Sequence, residues 1–206
     1  MALLGALLKN RRAGAAHLAW NLPNLAGPES LALTSAAFGD GEPIPAAYAG
    51  KRAGGRNLSP QLAWSPPPEG TAQLLLVVED PDAPTPKPFV HCVALIGPGR
   101  PAGAEAEAEA DGALAEGTLA EGALAQSGPA AGVQVLRSGM GSGYAGPEPI
   151  RGHGPHHYVF QLFALAEPLT RTAGGAALER ARPRAVTASV PGPVLARGKL
   201  TGLYER

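Results

Sequence analysis

Gln73-Leu-Leu-Leu-Val-Val-Glu79 and Val90-His-Cys-Val-Ala-Leu-Ile96, joined by Asp80-Pro-Asp-Ala-Pro-Thr-Pro-Lys-Pro88, decide the fold of this chain. Each apolar run is short, and Gly70 and Pro81 bound the first of them. A run of that length with no polar alternation reads as a strand covered on both faces. The four prolines between the runs exclude regular structure and make a stiff loop rather than a tight hairpin turn. Because side chains alternate along a strand, His91, Val93 and Leu95 are expected on one face and Cys92 and Ala94 on the other.

Outward from this pair the same signals recur. His156-His-Tyr-Val-Phe-Gln-Leu-Phe-Ala-Leu165 reads as a third strand with His156, Tyr158 and Phe160 on one face. Residues 194–204 alternate well enough for a final strand with one wet face, and residues 29–34 alternate weakly as a first one. Residues 50–57 and 139–147 are Gly-rich loops, Pro66-Pro67-Pro68 forbids regular structure, and the helix-like stretch 174–188 contains Pro183. The apolar start, Met1 to Leu8, precedes Lys9, Arg11 and Arg12, the reverse of a secretory signal, so residues 1–28 are read as a short helix or arm. A single domain then covers 29–206. Within it, residues from about 100 to 132 hold little besides Ala, Gly, Glu and Leu and are expected to form a flexible surface insert that buries no core face. The fold expected is mostly β, an antiparallel β-sandwich with a few short peripheral helices.

Composition excludes several function classes. With 17 basic and 17 acidic residues in 206, the chain lacks the cationic footprint of nucleic-acid binders. No stretch approaches the roughly 20 apolar residues that span a bilayer. The lone Cys92 cannot form an intrachain disulfide, so a cytoplasmic location is expected.

Two carboxylates in a stiff loop (Asp80, Asp82), one imidazole on a strand (His91), another at a strand's start (His156) and a Gly-rich loop can together surround a small anion. Imidazoles and backbone amides would donate to it, and the carboxylates would fix the tautomers. The same residues have plainer readings: Asp before Pro caps turns, and a strand histidine is commonly a satisfied core residue. A zinc site at Gly152-His-Gly-Pro-His-His157 would lack a Cys pair and would split His156 and His157 between faces. A nucleophilic hydrolase would need an activated Ser or Cys, and no Gly-x-Ser-x-Gly elbow occurs. Gly139 to Gly143 lacks the strand-turn-helix context of a dinucleotide loop.

Five ordered segments, Leu58-Ser-Pro-Gln-Leu-Ala-Trp64, Asp80-Pro-Asp-Ala-Pro84, His91 in its apolar strand, Tyr144-Ala-Gly-Pro147 and Gly154-Pro-His-His-Tyr-Val-Phe160, resemble the phosphatidylethanolamine-binding protein family, also called Raf kinase inhibitor-like proteins, in its bacterial branch. The resemblance runs from about Phe38 to Tyr204 apart from the insert. It implies a cavity for phosphate-like or phosphorylethanolamine-type groups, with Asp80, His91, Gly146, Pro147, His156 and Tyr158 matching pocket residues. Asp82 matches the second motif aspartate, Phe89 stands where an aromatic lines the pocket, and Tyr144 opens the fourth segment. A cis bond before Pro84 is also implied, since X-Pro bonds lose most of the trans preference. His157 departs from the usual Arg of the His-Arg-Tyr segment. The implied function is a non-catalytic binding or regulatory protein without cofactor or metal, whose partners are a phosphorylated small molecule, a kinase or protease, and a second copy in a homodimer. The alternative from a different class is a slow hydrolase or acid-base enzyme using the same Asp/His pocket, with His91 or His156 carrying the proton.

Overall fold

Leu33–Thr34 (β1), Glu42–Pro43 (β2), Leu62–Trp64 (β3), Gln73–Asp80 (β4), Phe89–Ile96 (β5), Gly117–Leu119 (β6), Val133–Val135 (β7), Arg137–Ser138 (β8), Gly141–Ser142 (β9), His156–Leu165 (β10) and Val194–Tyr204 (β11) are the strands of the computed structural model. It describes residues 2–97, 117–125 and 129–206. The four long strands, β4, β5, β10 and β11, are the four read from apolar or alternating runs. They form the middle of a six-stranded sheet in the order β2-β11-β10-β4-β5-β7, antiparallel except where β2 runs alongside β11. A second sheet has the order β1-β3-β6, and β8-β9 form a small ribbon.

Both faces of the large sheet are covered, which is why β4 and β5 show no polar alternation. On one face Leu74, Leu76, Val78, Cys92, Ala94, Phe160 and Leu162 share a core with Leu33, Leu62, Trp64 and Leu119 of the second sheet. This is the sandwich interior. On the other face Leu75, Val77, Val93, Leu95 and Phe163 pack with Ala19 and Leu25 from the N-terminal segment and with Leu178 and Val186 near the C-terminus. Burying that many aliphatic side chains, each contributing about 1.5–3 kcal/mol, supplies the main driving force for both layers.

The N-terminal arm is a helix, Ala2–Leu8 (α1), followed by three single 3-10 turns between Ala15 and Leu25. It is pinned to the Asp80–Pro84 loop by backbone bonds from Ala13 N–H to the Ala83 carbonyl (3.0 Å) and from Gly14 N–H to the Pro81 carbonyl (2.8 Å). None of the described helices is long and apolar enough to cross a membrane.

Three expectations are corrected. The stretch 174–188 contributes only a 3-10 turn, Leu178–Arg180, and a five-residue helix, Pro183–Thr187 (α2). Proline lacks the N–H that a helix interior needs but suits its first position, so Pro183 starts a helix instead of lying inside one. The bond before Pro84 is trans, the default geometry that a proline weakens without reversing.

The insert expected at about 100–132 falls largely outside the described residues, but its described parts do reach the core. Gly117–Leu119 pairs with β3, and Leu119 and Leu124 are fully buried. Two leucines are enough to dock a short strand on an existing sheet edge, although average composition hides them. Replacing Leu124 by Ala is expected to lower the unfolding free energy by about 3 kcal/mol, the usual cost of a truncated core leucine. Urea unfolding measures it; a change below about 0.5 kcal/mol would assign the segment to the surface.

Candidate functional site

Antiparallel pairing brings the C-terminal end of β4 next to the N-terminal end of β10, so Asp80 and His156 meet although 76 residues separate them. Asp80 Oδ1 accepts the backbone N–H groups of Asp82 (2.7 Å) and Ala83 (3.0 Å), an Asx turn that its position before Pro81 favours. Its Oδ2 lies 2.7 Å from His156 Nδ1, and both side chains are buried. His156 Nε2 lies 2.7 Å from His153 Nδ1, and His153 Nε2 in turn reaches the carbonyl oxygens of Leu8 (2.8 Å) and Arg11 (3.2 Å).

The positions of the protons follow from the two ends of this chain. Carbonyl oxygens only accept, so His153 Nε2 carries a hydrogen, and in the neutral ring its Nδ1 is an acceptor. His156 Nε2 therefore donates to it. One further proton must then lie between His156 Nδ1 and Asp80 Oδ2, because a lone pair facing a carboxylate at 2.7 Å would be repulsive. Asp80 and His156 are thereby saturated within the protein, and His156 is a support for the site rather than a free donor.

His91 reaches the same face through an irregularity that the sequence does not announce. On β4 and β5, Val78 pairs with Cys92 but Glu79 pairs with Val90, so His91 is the extra residue of a β-bulge. A bulge re-aims a side chain. His91 is accordingly set against Tyr158 and Phe89, with ring centroids 5.0 Å from each, while Val93 and Leu95 belong to the opposite core. The expected grouping of His91 with Val93 and Leu95 is thus corrected. His91 Nδ1 donates to the Ala145 carbonyl (2.6 Å), which leaves Nε2 as the acceptor atom of the neutral ring. Burial holds its pKa below 6.5 against the opposing pull of Asp80.

Burial also pushes the Tyr158 and Tyr144 phenols far above 10, with nearby Asp80 adding to the effect at Tyr158, so both stay protonated donors. Cys92 packs in the apolar core, where burial pushes its thiol up to about 12, and so has almost no nucleophilic thiolate.

The other expected site residues divide. Phe89 joins the group, its ring held over Gly139, where a Cβ would collide with it. Asp82 does not. Its Oδ2 accepts from the backbone N–H and ring Nδ1 of His157 (2.7 Å each), and its Oδ1 pairs with Arg12 at 2.5 Å. Burial alone would raise the Asp82 pKa, but these donors outweigh it and hold the carboxyl below its ordinary range. Asp82 is a clamp joining the arm to β10. Gly146 and Pro147 lie against the backbone of residues 48–50: a Cβ on Gly146 would meet the Tyr48 carbonyl, and the Pro147 carbonyl accepts from Gly50 N–H (3.0 Å). Tyr144 is buried beside them. Two contributors were missed. His153 looked like the middle of a glycine-rich turn, and Asn57, which accepts from Gly146 N–H (2.7 Å), looked like loop. Only the His-x-x-His spacing of His153 and His156 offered a signal.

Comparison with known proteins follows from this geometry. The family model for phosphatidylethanolamine-binding proteins matches residues 34–205. A Mycobacterium tuberculosis UPF0098 protein is 36% identical over 194 residues, covering 93% of this chain and 78% of its own. LppC of the same organism, named as a candidate lipoprotein, is 35% identical, with 86% and 73% covered. Among solved structures, Escherichia coli YbcL, described as a member of the mammalian PEBP family, superposes with a TM-score of 0.64 at 26% identity, covering 85% of this chain and 98% of its own. A phosphatidylethanolamine-binding protein homolog of Chlamydia trachomatis gives 0.63 at 25%, with 86% and 99% covered.

Proposed function

Because this chain belongs to the phosphatidylethanolamine-binding protein family, in its bacterial branch, we propose that it is a binding protein whose pocket takes one phosphate-like group, free or as a phosphorylethanolamine-type head group, against His91 and Tyr158. The observation that carries this reading is the bulge at His91, which sets one imidazole edge-on to a buried phenol beside an already satisfied Asp80–His156 pair. Tyr158 supplies an O–H donor that does not ionise. His91 supplies an N–H once it takes up a proton. Asp80 is matched by the proton it shares with His156, so its repulsion of an anion is muted.

Binding is favoured over turnover. A hydrolase working through a covalent intermediate would need an activated nucleophile, whereas the Cys92 thiol is held neutral; both nitrogens of His156 are hydrogen-bonded within the protein, so turnover would have to rest on His91 Nε2 alone.

Phosphate and phosphorylethanolamine titrations by calorimetry and thermal unfolding test the proposal. Ligand at 100 times Kd should stabilise the wild type by about 2.7 kcal/mol. His91→Gln and Tyr158→Phe should each weaken binding about tenfold, the value of one hydrogen bond to a charged group. Unfolding of the wild type that ignores both ligands would remove the pocket from consideration, and phosphate-ester turnover abolished in His91→Gln would make the protein an enzyme.

A further inference from the structure

The Tyr144–Gly146 segment, whose Ala145 carbonyl holds His91, also forms one wall of a cleft of about 480 Å³. The Gly-rich loop contributes Lys51, Arg52, Arg56 and Asn57 to its lining, and Ser138, Met140 and Ser142 line it as well. Tyr144 and Gly146 line it but Asp80, His91, His156 and Tyr158 do not, so its cationic part is distinct from the His91–Tyr158 group proposed above to take the single phosphate-like group.

Its charge is one-sided. Three cations face it against a single carboxylate, Glu148, in a chain whose overall charge is zero. Glu148 is already engaged, its Oε1 accepting the Arg52 backbone N–H at 2.8 Å. Arg56 lies 3.7 Å from Glu121, a solvent-exposed pair worth little, and among the described residues Lys51 and Arg52 form no ion pair. Arg206 places a fourth guanidinium beside this group by donating to the Arg52 carbonyl.

The cleft is also braced. Asn57 is the one non-glycine residue with positive φ among the described residues, at 58°. Its amide ties this loop to the Tyr144–Gly146 segment, accepting from Gly146 N–H at 2.7 Å and donating to the Tyr144 carbonyl at 3.4 Å. A residue held in the left-handed region and doubly bonded there fixes loop geometry in advance of any ligand, a combination that concentrates at binding sites. The volume falls in the range of small-molecule sites, and Met140 and the Tyr144 side offer apolar surface beside the cations.

We propose that this cleft is a second binding site, for a small organic ligand bearing two or more phosphoryl groups. One phosphoryl group would leave part of the cationic wall unmatched, whereas a di- or triphosphate spreads its charge along Lys51, Arg52 and Arg56, with guanidiniums suited to paired contacts on phosphate oxygens.

Inorganic tripolyphosphate is the probe, titrated by calorimetry into wild type and a Lys51→Gln, Arg52→Gln, Arg56→Gln triple variant. All three side chains are exposed, so the variant should fold with unchanged far-ultraviolet dichroism and melting temperature. The expected result is a loss of affinity greater than tenfold in the triple variant and weaker wild-type binding as salt rises, while sulfate binding at the buried pocket persists. Affinities within twofold of each other would overturn the proposal. So would tripolyphosphate binding lost in His91→Gln but kept in the triple variant, which would place the polyanion in the buried pocket and leave that reading intact. Retention of an acidic peptide without retention of tripolyphosphate would overturn the assignment to a small ligand.

Discussion

Asp80→Ala lowers the unfolding free energy by about 4 kcal/mol, the cost of removing one partner of a buried, hydrogen-bonded pair. The magnitude has two sources. The proton shared with His156 Nδ1 loses its second partner at a position shielded from water, and the N–H groups of Asp82 and Ala83 lose the oxygen that closes their turn. Each orphaned buried donor costs about 1–3 kcal/mol. The turn is also where Ala13 and Gly14 attach, so the arm should loosen with it.

Asp80→Asn makes the account specific. An asparagine can keep its oxygen toward the two backbone amides and offer an N–H to His156 Nδ1, which needs no shared proton when His156 Nε2 donates to His153. It should therefore retain more than half of the stability that the alanine variant loses. Urea unfolding of both variants, with hydrogen exchange across residues 8–14, decides the matter. Equal losses in the two would show that the proton arrangement derived from His153 is wrong.

Sulfate affinity rises as pH falls from 7.5 to 6 in the wild type, with about 30-fold as the limit set by one proton taken up per anion bound, and becomes nearly flat in His91→Gln. Burial favours the neutral form of the unliganded ring, holding its pKa below 6.5; the Asp80 charge and the Ala145 bond oppose this, His156 reinforces it, and Glu148 opposes it. The sign for stability follows. A depressed histidine pKa contributes stability that is present above 6.5 and lost as pH falls through the folded value. Binding reverses the balance. An anion at Nε2 favours the imidazolium, so its affinity climbs as pH drops from the raised pKa of the complex toward the depressed pKa of the free protein. Sulfate is the right probe because it keeps its charge across this range, whereas phosphate titrates within it. Sulfate affinity independent of pH between 5.5 and 8 in the wild type would separate His91 from the anion.

Much of this molecule was legible one segment at a time. Continuous apolar runs bounded by Gly and Pro announced β4 and β5 because a strand covered on both faces needs no polar alternation, and β10 and β11 were bounded correctly for the same reason of period. Asp80 before Pro81 announced a turn cap, and it is one, with its second oxygen left over for His156. What failed did so where the deciding partner is distant in sequence. Leu119 and Leu124 look like fragments of a low-complexity repeat until β3 and the core are present to receive them. Asp82 looks equivalent to Asp80 until Arg12 and His157 occupy it.

The pocket itself divides in the same way. The residue types and their order, and with them the family and the sandwich, were determined by the sequence alone, because local period, turn chemistry and motif order are properties of short segments. Only the tertiary structure decided which atoms remain for a ligand. A one-residue slip between β4 and β5 moves His91 to the face of Tyr158, and a histidine whose neighbours are two carbonyls of the N-terminal arm fixes the proton on His156. The first effect depends on register between adjacent strands and the second on contacts 76 and 145 residues apart, and no pattern within a strand encodes either.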